Sequence, residues 1–502
     1  MNIKKNYSYL GHRKHTGNWS QYLWFTNLFG LSIILNLLVS ICSEAPLTYM
    51  LGQAFLCFTA YISFYILANK PLFNPIQAFL VLFYWWFNIA PTVCGGFYLL
   101  INQPVKALNA QVIGMESLWI VAIGLPLYSI VARCTLEWME KYHINANFLI
   151  PTGRQYTTKT ILYILFVGYV AQILLIVLNT IGIQGQESID ILGGKTTSIW
   201  WVGVIDSIGM LTKIATAILV VELIRPWKKI SPTIKYLSLS LIILTINGAL
   251  FSGWKGQFVF IFFFIMCSYI SKYQSLPWRG LIVFFMIYIF FIEPFVAMGR
   301  SLAENNDVTS TKDKENIYMD MLSSGEISNS SNFEDIQIES SFRGIYQMAG
   351  DITRNNNILN GEWNGSTIDW GLSILLPRVI NPNKLDMNIG NFFYKTTYAR
   401  LTGENVTSDL CNISISLPFE FVGNFGWFFG VFSFGIIGAF WAFFCGWFLS
   451  PSRLSTHPLS AYFISMTLSM EAPLGHYLVG LKSLFIPFLT IYLIRKYLKG
   501  SF

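Results

Sequence analysis

Charge is what this chain has least of. Only 12% of its 502 residues are Asp, Glu, Lys or Arg, where a soluble domain carries about a quarter. Several catalytic signatures are also missing: there is no Walker A loop, no GxSxG serine elbow, no HExxH pair and no paired-aspartate motif. Their absence argues against an ATP-driven transporter and a metalloprotease. The seven cysteines (Cys42, Cys57, Cys94, Cys134, Cys267, Cys411 and Cys445) make no CxxC or Cys/His ligand spacing. The five histidines (His12, His15, His143, His457 and His476) are too scattered for zinc. No cofactor and no metal site is expected. Net charge is +7 without any concentrated basic patch, so no nucleic-acid partner is expected.

What is abundant is apolar sequence: 54% hydrophobic residues, 17% aromatic, and a mean hydropathy of +0.51. Repeated apolar runs of membrane-spanning length define an all-α polytopic integral membrane protein. About twelve spans are predicted, at 21–42, 48–68, 76–100, 111–132, 160–181, 199–224, 236–253, 256–271, 280–298, 426–449, 459–473 and 478–494. The eleventh is short enough to be re-entrant. The first lacks a small-residue cleavage site and reads as a retained helix.

Lys and Arg orient these spans. With the N-terminus in the cytoplasm, the inner loops receive Lys70, Arg133, Lys141, Arg154, Lys159, Arg225, Lys228, Lys229, Lys235, Lys272, Arg279, Arg453, Arg495, Lys496 and Lys499. The short outer loops receive only Lys106, Lys195 and Lys255. Both termini are therefore expected inside, and the long segment 299–425, between spans nine and ten, outside. The chain divides into a nine-helix region (1–298), this loop (299–425) and a three-helix region (426–502). Within the loop, 303–341 is polar and reads as mobile, and 342–425 as structured. Ile368–Leu376 is apolar on one face and is predicted to lie along the membrane surface.

Chemistry-bearing residues concentrate in and around this loop. Arg300, Arg343, Arg354, Arg378 and Arg400 are cations on the outer side. Pro377 and Pro382 stiffen the segment that carries Arg378 and Lys384, and a guanidinium fork suits phosphate oxygens. Glu420 lies among Phe419, Phe421 and Phe425 where the tenth span begins. Partial burial there would raise its proton affinity and suit a general base; alternatively it is a helix N-terminal charge complementing the dipole. Lys255, in the turn Ser252–Gln257, reads either as a snorkelling anchor or as a phosphate contact. Glu471 and His476 are second candidates for a base or an acceptor-binding group, and Lys482 for a partner of Glu471. Asp206 and Lys213 share a face of the sixth span, as a helix–helix pair or beside a water-filled cavity.

Three stretches together, Ser341–Arg354 (SFRGIYQMAGDITR), Gly361–Leu385 ending in LLPRVINPNKL, and Ser416–Gly430 (SLPFEFVGNFGWFFG), resemble the oligosaccharide repeat-unit polymerases, the Wzy-type O-antigen or capsule polymerases. The match rests on Pro377, Arg378, Pro382, Lys384, Glu420, Asn424, Phe425 and Gly426. Leu385 stands where a proline is common, Phe421 where a tyrosine is common, and Lys255 where related polymerases and ligases carry arginine.

The resemblance implies a GT-C-like membrane glycosyltransferase of the bacterial inner membrane. Its substrate would be undecaprenyl-diphosphate-linked oligosaccharide, presented by membrane lipid at the periplasmic face, with a chain-length regulator as possible partner. Glu420, Arg378 and Arg343 would be catalytic. Lys384, Arg354, Arg300, Lys255, Asn424 and His476 would hold diphosphate or glycan, without a metal. An O-antigen ligase and a lipid-linked oligosaccharide flippase are the competing functions. A flippase more often shows two related halves and short loops, and neither is seen here.

Overall fold

The structure is a computed structural model. It describes residues 19–67, 74–112, 114–145, 158–180, 200–223, 278–287, 363–373, 415–455, 457, 459–467 and 473–498, with scattered positions within 231–243 and 262–269. All regular structure among the described residues is helical. The helices are α1 (Trp19–Cys42), α2 (Leu47–Leu67), α3 (Pro75–Leu100), α4 (Pro104–Val112), α5 (Met115–Lys141), α6 (Thr158–Thr180), α7 (Trp200–Gly209), α8 (Leu211–Leu223), α9 (Trp278–Ile287), α10 (Ser366–Ser373), α11 (Leu417–Phe425), α12 (Trp427–Leu449), α13 (Ser460–Met466) and α14 (Leu474–Leu498). Four of them, α2, α3, α5 and α12, are long and apolar enough to cross a bilayer. The chain is built as a helical membrane protein.

Each predicted span that falls on described residues meets a helix, with three differences. The fourth continues to Lys141, well past the predicted end at 132. The sixth is two helices, α7 and α8, separated at Met210; hydrogen bonds from Met210 N to Asp206 O (3.2 Å) and Ile214 N to Met210 O (3.2 Å) carry the backbone across. Asp206 and Lys213 therefore stand on either side of this break, and they close no ion pair. The eleventh is the short α13.

The centre of the molecule is the pair α5 and α12, flanked by α2 and α3. Small residues let the pair approach: Gly438 lies against the Tyr128 backbone, where a Cβ would come within 2.6 Å of the carbonyl oxygen. Phe79 stacks on Tyr128 (4.2 Å between centroids) and meets Phe434 edge-on (6.0 Å). Trp441 Nε1 donates to Pro75 O (3.0 Å) and Tyr128 Oη to Ile76 O (3.0 Å), tying α12 and α5 to the first turn of α3.

α1 is polar inside and apolar outside. Ser32, Asn36 and Ser40 are buried, while Leu31, Ile34, Leu38 and Ile41 are exposed on the other side. That is the pattern of a helix facing lipid with its apolar stripe. Ser32 and Asn36 belong to a network around a wide π turn in α3 (Trp85–Ile89). Gln53 Nε2 donates to Phe87 O (2.9 Å), Asn88 Nδ2 to Gln53 Oε1 (2.8 Å), and Asn36 Nδ2 to Thr92 Oγ1 (2.7 Å). Cys57 Sγ and Tyr84 Oη are 3.1 Å apart, and Tyr84 is also bonded to Ser32.

Candidate active site

The site is built on α11, the segment carrying the Glu-x-x-x-Asn-Phe-Gly element. Pro418 favours a helix start, since the missing N–H would be unsatisfied there anyway. The helix ends after Phe425 because Gly426 adopts φ 88°, a left-handed backbone that glycine takes without Cβ strain. Its N–H closes the last turn on Val422 O (2.8 Å). The tenth span then begins, as predicted, with α12 at Trp427. Glu420 thus stands in the first turn of its own short helix, where a negative charge complements that helix dipole.

Glu420 and Asn424 are four residues apart and share one face. Both are buried, with Glu420 completely inaccessible. On the other side of α11, Phe421 is half-buried and Phe425 exposed, while Phe419 stacks on Phe87 of α3 (5.6 Å).

The polar face of α11 meets two elements distant in sequence. Glu420 Oε2 accepts the backbone N–H of Leu474 (2.6 Å), so that Glu420 caps the N-terminus of α14. Asn424 Nδ2 donates to Glu420 O (2.7 Å) and to Thr367 Oγ1 of α10 (2.7 Å). Three oxygens in this buried cluster have no hydrogen-bond partner: Glu420 Oε1, Asn424 Oδ1 and Ser416 Oγ. An unsatisfied buried acceptor is costly.

Burial pushes the Glu420 carboxyl up from 4.5 to about 7; the Leu474 N–H and the Thr367 side chain pull the other way and lose. The group is therefore poised to gain or lose a proton near neutrality, as a general base requires.

α10 is docked by a close approach. Trp363, just before it, is buried against Gly423, where a Cβ would lie 1.9 Å from the Trp363 ring. Thr367, Trp370 and Gly371 are buried as well. The Thr367, Trp370 and Gly371 side of α10 packs toward α11 and α14, while Ile368 is half-buried and Leu372 exposed; residues 374–376 of the segment expected along the membrane surface lie outside the described residues.

Of the nine site candidates, Glu420 and Asn424 are brought together. His476 is placed only by its backbone, in the first turn of α14, two residues beyond the N–H that Glu420 caps. Arg300, Arg343, Arg354, Arg378, Lys384 and Lys255 lie outside the described residues, as do Glu471 and Arg400. Thr367 and the Leu474 N–H are members of the site that sequence reasoning did not single out. Only the Thr367 hydroxyl offered a signal, as a short polar side chain on an otherwise buried helical face. Among the described residues no group of three or more His, Cys, Asp or Glu is gathered to hold a metal.

No family model matches the chain, and neither a curated protein nor a solved structure does.

Proposed function

We propose that this protein polymerises lipid-diphosphate-linked oligosaccharide repeat units into long-chain O-antigen or capsular polysaccharide at the periplasmic face of a bacterial inner membrane. The observation that carries the proposal is Glu420: a carboxyl buried enough to titrate near neutrality, fixed through one oxygen, with the other unpartnered. It occupies the acidic position of the element by which the sequence resembles the repeat-unit polymerases.

In this reaction a hydroxyl of the acceptor repeat unit gives its proton to Glu420 Oε1. The oxygen attacks the anomeric carbon of the growing chain, and the bond from that carbon to the diphosphate oxygen breaks. The lipid diphosphate leaves with the electron pair. Arg343, Arg378 and Lys384 neutralise the leaving group, with Arg354, Arg300 and Lys255 in supporting contacts and Asn424 and His476 toward the glycan. The diphosphate linkage supplies the driving force, so no nucleotide is consumed.

A second role for Glu420 is favoured by its bond to Leu474: as an anchor of α14, it would shape the site without moving a proton. Glutamine separates the two roles, because its amide oxygen can still accept from Leu474 but its nitrogen is no base.

The surface polysaccharide of a deletion strain tests the function itself. Loss of a polymerase leaves single repeats attached to the surface lipid. Polymer stranded on the lipid carrier would indicate a ligase instead. Purified protein that moves lipid-linked glycan across liposomes without lengthening it would indicate a flippase. Arg378→Ala is expected to abolish polymerisation at normal protein level; normal ladder lengths would remove Arg378 from the site.

A further inference from the structure

We propose that Thr367 is a positioning residue for Glu420, its hydroxyl donating to the carboxylate when Glu420 gives up its proton. The inference rests on Glu420 acting as an acid–base group.

The hydrogen bonds around Thr367 leave its hydroxyl proton unused, and of the acceptors in the cluster only Glu420 Oε1 becomes charged. A hydroxyl has one proton to give and two lone pairs to receive. Asn424 Nδ2, already oriented by its bond to Glu420 O (2.7 Å), occupies one lone pair of Thr367 Oγ1 at 2.7 Å. Thr367 therefore receives from the amide, and its proton is free to turn outward. Thr367 and Glu420 are both wholly buried. In the same buried cluster Glu420 Oε1 is an acceptor without a partner, while Oε2 is held by Leu474 N (2.6 Å), and the Thr367 side chain is close enough to this carboxyl to favour its charged form. Ionisation turns Oε1 into the strongest acceptor in the cluster. The chain Asn424 to Thr367 to Glu420 then closes, each donor polarised by the one behind it.

Nothing charged among the described side chains competes for the role. α10 contributes only Asp369, which is exposed. The sequences of α3 and α12 contain no acid and no base. On α14, the nearest titratable side chain described is Tyr477, which packs on Phe440 and Trp441. The pull of Thr367 on the carboxyl is in the direction expected of a donor to the ionised form.

The test is an infrared pH titration of the full chain in detergent, reading the protonated-carboxyl band that Glu420→Gln removes. Thr367→Val replaces the hydroxyl by a methyl of equal size, and Thr367→Ser restores it. Thr367→Ala supplies the same comparison if valine perturbs folding. The expected result is a midpoint near the wild-type value for serine, and one raised by about one unit, tenfold in the ionisation constant, for valine and alanine. Identical midpoints in wild type and in either hydroxyl-free variant would overturn the proposal. The band reports the carboxyl whether or not glycan is transferred. Full activity of Glu420→Gln would thus remove the acid–base role of Glu420 and leave the titration result standing by itself.

Discussion

The carboxylate of Glu420 accepts the backbone N–H of Leu474 at 2.6 Å, so an acid on α11 completes the first turn of α14 across 54 positions of sequence. The same carboxylate holds its proton up to about pH 7 because it is buried. Structure and chemistry therefore meet in one side chain, with one oxygen for each.

A pH dependence of stability follows. Glu420 binds its proton more tightly folded (about 7) than unfolded (4.5). Its contribution is full below pH 4.5 and is lost as pH rises through 7, at roughly 1.4 kcal/mol per pKa unit. Thermal unfolding of wild type in detergent is expected to weaken between pH 5 and 8 relative to Glu420→Gln, which has no charge to desolvate. Parallel curves for the two proteins would show that Glu420 does not titrate in this window.

Gly423 is set for the docking of α10. A methyl there falls inside the Trp363 ring, at 1.9 Å. Gly423→Ala is expected to push Trp363 out and destabilise by about 1–3 kcal/mol, as overpacking does. Protease accessibility near Trp363 and a shifted tryptophan emission measure the displacement. An alanine variant with wild-type emission and melting would show that α10 does not pack there.

The network at the π turn of α3 gives an independent prediction. Gln53→Leu removes the donor to Phe87 O and the acceptor for Asn88 Nδ2 together. Stranding these buried groups is expected to cost about 1–3 kcal/mol. Gln53→Leu with Asn88→Leu should cost less than the sum of the two single changes, because the second change removes a group already stranded. A double-mutant cycle on detergent melting measures this, and strict additivity would mean that the bond is absent.

The apolar helices were legible in the sequence because length and hydropathy alone decide what crosses a bilayer. The pairing of Glu420 with Asn424 was legible too, since four residues on a helix share a face. What was not legible has physical reasons. Periodicity says that the Thr367 and Trp370 side of α10 is covered, but not whether lipid or protein covers it. The Leu474 N–H that meets Glu420 is a backbone donor, which every residue but proline carries. Charge marked Asp206 and Lys213, whereas the network of Asn36, Gln53 and Asn88 is neutral and so stood out from nothing. The start of the tenth span at 426 was legible from hydropathy, whereas the separate short helix before it was not, because Leu-Pro-Phe-Glu reads equally as the end of a loop.

The polysaccharide ladder of a deletion strain complemented with Glu420→Gln bears most directly on Glu420 as the proton acceptor of glycan transfer. Protein level and melting temperature at acid pH should match wild type, since the cap on Leu474 survives. Long-chain polymer should fall by about 10²–10⁴-fold, the usual contribution of a general base, leaving single repeats on the surface lipid. A full-length ladder at wild-type intensity would contradict this assignment and leave Glu420 as a helix anchor.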